Sequence, residues 1–200
     1  PDLIQKVENG LGGFYEFDYA NSTSFDNTGG DGIPDLPMNY KVCVKQTIND
    51  GQGNQVYNTY QYQDGFAVSS FQPLVYSNAT GGFIYRKETD FFGFSKFIAF
   101  DALGSKTISE YNRAPFNALN DGSEYFLKNR ALNGAIAKST FIGWDIKEYS
   151  RTEYDYAVQK IANTSNNSYW SETVQVRKYV RNQLTETTNT ASTLSGYFIA

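Results

Sequence analysis

The sequence predicts an all-β chain of antiparallel hairpins arranged as a meander, with little or no helix. Three observations carry that reading. Only 19% of the 200 residues are charged while 16% are aromatic, and Tyr, Phe and Thr suit a pleated, half-buried surface. Clusters of Gly, Asn and Asp punctuate short runs of alternating character. Long Ala/Leu/Glu/Lys patterns of helical period are missing.

The elements follow in order. Asn9-Gly10-Leu11-Gly12-Gly13 is a turn signal, because Gly and Asn accept positive φ cheaply. It joins Leu3–Glu8 to Phe14–Tyr19, where Tyr15, Phe17 and Tyr19 alternate with Glu16 and Asp18, a hairpin with one wet face. The Gly-rich stretch from Asn21 to Pro37 is too long for a tight turn and reads as an ordered surface loop. Tyr40–Ile48 sets Tyr40, Val42, Val44 and Ile48 against Lys41, Cys43, Lys45 and Thr47. After the turn Asn49–Asn54, Gln55–Tyr62 is its partner strand.

Further on, Phe83–Asp90 and Phe94–Asp101 are two runs flanking Phe91-Phe92-Gly93. Thr107–Tyr111 follows the turn Ala102-Leu103-Gly104-Ser105. Asn112–Asn133 has no clear period, and Asn117–Lys128 reads as a short helix or a loop. Ser139–Ile146 is a strand kinked at Gly143. Glu148–Val158 places Ser150, Thr152, Tyr154, Tyr156 and Val158 opposite Tyr149, Arg151, Glu153 and Asp155. Ile161–Ser168 is a turn, Tyr169–Arg181 a strand, and the Thr-rich remainder begins another. Strand, turn and strand recur every ~10–20 residues without an exact repeat. Two hairpin parts, 1–111 and 112–200, divide the chain at the blurred segment.

Composition excludes much chemistry. Without histidine there is no Ser-His-Asp triad, no Cys-His pair and no imidazole zinc site. Cys43 alone permits neither an internal disulfide nor an iron–sulfur cluster, and it reads as a small apolar strand residue. A formal net charge of −4 argues against a nucleic-acid partner. No apolar run nears the ~20 residues of a spanning helix, so no direct membrane insertion is expected. No leader pattern stands at the N-terminus, and both ends look cut from a longer chain.

Several candidate sites compete with plainer uses. Asp26–Leu36 is similar to a calcium loop, with Asn27, Asp31 and Asp35 as ligands, but Gly29 stands at a ligand position and Asn27 is neutral. An Asx-rich turn is the simpler use. Glu88 with Asp90, or Glu148 with Glu153, would suit a glycosidase only as a pair ~5–10 Å apart with one pKa raised. Such residues are common on wet strand faces. The many Tyr and Phe serve cross-strand contacts more readily than a sugar- or base-stacking platform. Arg177, Lys178 and Arg181 form a short basic cluster on a solvated face. Four N-x-S/T triplets, at Asn21, Asn78, Asn163 and Asn166, are expected by chance in so polar a chain. No catalytic residue and no cofactor are assigned.

Several segments, in order, carry a family resemblance. Pro1–Gly13 resembles the P-D-L-L-x-x-x-x-N-G-L-G-G opening of the middle region in B components of insecticidal toxin complexes and their SpvB-like relatives. Ser22-Thr23 and Leu36-Pro37 before Tyr40–Val44 resemble that family's "S-T … L-P-F-P … V-x-x-V". Asp50–Asn54 with Tyr60-Gln61-Tyr62 is similar to "D-G-x-G-N … Y-x-Y". Arg86–Lys96, Leu127–Leu132 and Thr152–Tyr156 resemble "R-E-F-R-G-F-G-K", "L-K-G-R-P-L" and "T-E-Y-x-Y", with Asn129 and Ala131 replacing the Gly and Pro.

The resemblance implies a structural role. It places the chain after a β-propeller, where an Rhs/YD-repeat shell of hairpins encloses a toxic polypeptide in a secreted toxin complex. The implied partners are other segments of the same large chain, a C-type Rhs component and the enclosed effector. No catalytic residue of the family maps onto this chain, and no enzyme activity is expected. The alternative is a carbohydrate-binding or adhesin-like β-module of a cell-surface protein, which would need exposed Trp and Tyr clustered on one face.

Overall fold

The computed structural model describes residues 3–28, 39–77, 82–112, 131–160 and 169–189. They form one ten-stranded antiparallel sheet in which every strand lies beside its sequence neighbours. The strands are β1 (Lys6–Glu8), β2 (Phe14–Asn21), β3 (Lys41–Asn49), β4 (Gln55–Ser77) and β5 (Gly82–Phe100). They continue as β6 (Lys106–Tyr111), β7 (Ile136–Ile142), β8 (Glu148–Lys160), β9 (Tyr169–Val180) and β10 (Gln183–Asn189). The all-β meander read from composition and alternation is the observed fold. The blurred segment, the proposed helix over 117–128 and the turn over 161–168 lie outside the described residues.

The sheet is open. Among the described residues, β1 pairs only with β2 and β10 only with β9, leaving the outer edge of each unpaired. Among the residues whose side chains are described (3–28, 39–65, 93–112, 131–159 and 171–189), Ile98, 6% exposed, is the one buried apolar side chain. Among these residues cohesion rests on backbone ladders and cross-strand pairs rather than on a packed core.

Two expectations need correction. Phe83–Asp90 and Phe94–Asp101 are not separate runs, since β5 passes through Phe91-Phe92-Gly93 unbroken. The ladder to β4 shifts register between Phe66 and Ala67, opposite Gly93 and Phe91, and Gly93 takes φ +84°. The extra residue is absorbed as a bulge instead of reversing the chain. From Gly65 to Ser77, β4 pairs with β5 beyond the reach of the β3 and β6 ladders, so the hairpin extends on the order of 40 Å as a two-stranded arm.

The second correction concerns Gly143, where the chain turns rather than kinks. β7 ends at Ile142, and Gly143–Lys147 closes with Gly143 N–H donating to the Lys147 carbonyl at 3.0 Å.

That turn has three sisters at the same end of the sheet. Asn9, Asp50 and Asp101 each donate N–H to the carbonyl four residues on, at 3.0, 3.2 and 2.9 Å. Each also accepts two N–H groups on Oδ1, from Leu11 and Gly13, from Gln52 and Asn54, and from Leu103 and Ser105. The fourth residue of each loop, Gly12, Gly53 or Gly104, has φ between +86° and +97°. The repeat that was absent at 10–20 residues exists as this loop, starting at residues 9, 50, 101 and 143. Neighbouring loops also touch, and a Cβ on Gly51 would lie 2.7 Å from the Gly13 nitrogen. The fifth turn is shorter: Arg181 and Asn182, at φ +48° and +64°, join β9 to β10 directly.

On the opposite side, the long loop after β2 is clasped at its ends. Ser22 N–H donates to the Tyr40 carbonyl at 2.7 Å, and Tyr40 N–H donates to Ser22 Oγ at 2.9 Å. Ser22 is wholly buried by this pairing.

In the fourth loop, the position its sisters give to glycine holds Ile146 at φ +67°. A β-branched residue there costs about 1–2 kcal/mol in backbone strain. Ile146→Gly should therefore raise stability by about 0.5–1 kcal/mol, after the larger unfolded-state entropy of glycine is subtracted. Urea unfolding checks this, and an unchanged or lower midpoint would refute the strain.

Candidate functional site

The described residues include two half-open hollows, one of about 490 Å³ among Lys147, Glu148, Tyr149, Arg181 and Asn182 and one of about 430 Å³ beside Gln5, Phe17 and Lys41. The sheet also offers two faces of different chemistry, traced by following directly opposed residues across strands.

One face is charged. Asp18 lies beside Lys45 (3.8 Å), Glu110 beside Lys138 (2.7 Å), and Arg177 beside Asp155 (2.9 Å). Register places Ile98 and Ile108 on this face between the charged rows, with Lys96 opposite Glu110. The other face is nearly uncharged: Lys178–Glu186 is its one ion pair among the described residues. It carries Val7, Tyr15, Val56, Phe141 and Val180, all exposed. The alternation read along β3 and β8 assigns these sides correctly.

The aromatic side chains on the uncharged face gather over β4 and β5. Tyr60 stacks on Phe97 at 5.5 Å, and Tyr62 touches Phe97 at 5.3 Å and Phe94 at 5.0 Å. Phe25, from the loop after β2, closes edge-on against Tyr62 at 5.3 Å. Tyr62 OH donates to the Cys43 carbonyl at 2.7 Å, and Tyr60 OH to Gln46 Oε1 at 3.0 Å. Burial pushes the Tyr62 phenol up to about 12, because the phenolate would lose its water. The Cys43 thiol is raised by the same desolvation.

Glu148 and Glu153 are brought together, but around a cation. Arg151 Nη1 donates to Glu148 Oε1 at 2.8 Å. Its Nε lies 2.9 Å from Glu153 Oε1, a charge contact without hydrogen-bond alignment. Tyr179 OH donates to Glu153 Oε2 at 3.2 Å, Arg177 stands 3.5 Å from the same oxygen, and Arg151 lies 4.3 Å above the Tyr179 ring. Each carboxylate is thereby engaged by a guanidinium, rather than facing the other across an open cleft as a glycosidase pair would. The side chains of Glu88 and Asp90 lie outside the described residues.

Of the calcium candidates, Asp31 and Asp35 lie outside the described residues. Asn27 is nearly buried, and its neighbour Asp26 bridges to Gln63. Asp26 Oδ1 accepts the Thr28 N–H at 3.1 Å and the Thr28 hydroxyl at 2.9 Å. The backbone hydrogen bond from Thr28 holds the Asp26 carboxyl below its ordinary range. Among the described residues no three Asp, Glu or Cys side chains converge as a metal site. The exposed aromatics are Tyr15 and Phe141 on one face, Tyr57 on the other, Trp144 in a turn, and Tyr149, whose ring lies 6.3 Å from that of Phe141. The sequence reading missed the ion-pair ladder around Arg151. Alternation along β8 shows the charges on one side, but only the pairing with β9 brings Arg177 and Tyr179 to them.

Because the folded Tyr62 pKa exceeds its unfolded value, its contribution is full below ~pH 10 and fades as pH rises toward 12. Tyr62→Phe should flatten that alkaline limb while lowering neutral stability by about 1 kcal/mol for the lost hydrogen bond. A pH series of thermal melts checks both. Arg151→Met, which keeps the stem but leaves Glu148 and Glu153 facing each other, should cost about 1–2 kcal/mol, partly recovered by adding Glu153→Gln. A double-mutant cycle measures the recovery, and strict additivity would refute the coupling.

Among curated proteins, none matches the chain. The pieces quoted beyond residue 71 lie outside the span of the family match. The toxin-complex resemblance holds for the first part of the chain: residues 1–71 match the family model of the insecticide toxin TcdB middle/N-terminal region.

Proposed function

We propose that this chain is a wall segment of a secreted toxin complex, and that its work is containment rather than catalysis. The observation that carries the reading is the open sheet of ten sequential strands, one face charged and the other nearly uncharged, with a single buried apolar residue among the described side chains. Such a sheet is incomplete by itself. Its edges call for neighbouring strands and its apolar face for a cover or a cargo.

In this reading the neighbours are further segments of the same large chain and a C-type Rhs component, which together close a cocoon around the effector. The effector carries the chemistry. The family match over residues 1–71 supports a toxin-complex assembly of this kind. The charged face suits water, and the uncharged face suits an unfolded polypeptide because it offers few ions to trap it.

The parent reading frame is expected to encode a β-propeller upstream and YD repeats downstream, and finding neither would overturn the proposal. In sedimentation velocity the isolated chain should self-associate with rising concentration through its strand edges. Thr187→Pro in the β10 edge should reduce that association. A monodisperse, highly thermostable monomer would count against the wall.

A further inference from the structure

The end of the sheet where the hairpins reverse carries a row of exposed apolar side chains. Leu11 is 86% exposed, Leu103 80%, Trp144 74% and Ile146 84%. Successive turns on this rim are two strands apart, ~10 Å, so Leu103 stands beside Trp144 and Ile146. Each side chain sits on a loop braced by its own backbone hydrogen bonds.

Ile146 is the informative member. It holds a left-handed φ of +67° where the sister loops hold glycine, and it buries almost nothing in return. Folding does not account for strain kept at an exposed tip, and such outliers concentrate at functional positions. The charges around it are also arranged. Asp101 is turned onto the N–H groups of its own loop, Asp145 accepts from Lys147 N–H and Tyr149 OH, and Glu148 is held by Arg151. The Lys147 side chain stays 78% exposed even though its ammonium lies 3.1 Å from Asp145. Arg181 is exposed on the next turn.

We propose that this rim docks on an anionic lipid bilayer, with Trp144 at headgroup depth and Leu103 and Ile146 dipping into the interface. Lys147 and Arg181 face the headgroup phosphates. A fluid surface fits the geometry best. Knobs ~10 Å apart on the rim of one sheet do not make the ~800 Å² per partner of a stable protein interface. A second copy would present the same knobs, and the half-open cavity beside them is walled by Lys147, Glu148, Arg181 and Asn182 with Tyr149, a largely charged and polar lining that does not match an apolar knob. Tryptophan, apolar with a polar N–H, is favoured at the bilayer surface. The docking is peripheral, and no helix of the described residues is long and apolar enough to cross a membrane.

The test is cosedimentation with phosphatidylcholine vesicles containing about one quarter phosphatidylserine. The chain should pellet with them. In a Trp170→Phe background, which leaves Trp144 as the only tryptophan, emission should shift to the blue. Trp144→Ser should weaken binding roughly tenfold. The triple variant Leu103→Ser, Trp144→Ser, Ile146→Gly should stay in the supernatant with an unchanged far-UV circular dichroism spectrum. No pelleting with unshifted emission, or a triple variant that pellets like the parent, overturns the proposal. Vesicle-free self-association abolished by the same triple variant would assign the rim to a second copy and overturn it as well.

Discussion

The backbone ladder between sequential strands is the constraint on which everything else rests. With Ile98 the one buried apolar residue among the described side chains, those side chains offer little hydrophobic core to hold a misregistered strand in place. Register is instead fixed at the turns. Four loops of the same five-residue construction, at residues 9, 50, 101 and 143, each start a hairpin with a defined pairing. A slip of one residue would carry the charged side chains of a strand to the apolar face, so turn geometry and face chemistry reinforce each other.

Register shifts occur both far from these turns, at Phe66/Ala67, Pro73/Val75 and Asp155/Tyr156, and beside them, at Phe141/Ile142 and Leu184/Glu186. Each accommodates an extra residue as a local bend of the ribbon. Within the loops, glycine or a strained substitute takes the left-handed position, and Gly51 lies too close to the neighbouring loop to bear a side chain.

The two faces give the sheet a direction across its thickness. Arg151, Glu148, Glu153, Arg177 and Asp155 satisfy one another on one side, and Tyr179 covers the guanidinium of Arg151. On the other side the Tyr60, Tyr62, Phe94 and Phe97 cluster is closed only locally, by Phe25. Glu148 and Glu153, which composition alone would allow as catalysts, are thereby committed to ion pairs.

The sequence by itself determined the strands, their alternation and most of their turns. Period-two patterning and Asn/Asp–Gly signals are local, and a face assignment such as Arg151 and Glu153 against Thr152 and Tyr154 needs no distant partner. Only the tertiary structure decided that β5 runs through Phe92-Gly93 rather than turning there, because a glycine at positive φ serves a bulge and a hairpin equally well. It also decided that Gly143–Lys147 is a sister of the Asn9 loop. Its glycine occupies the first position and isoleucine the fourth, so the pattern is visible in the hydrogen bonds and not in the letters. Cross-strand partnerships such as Arg177 with Glu153 arise from which strands become neighbours, and that is set by long-range ladders no local window contains.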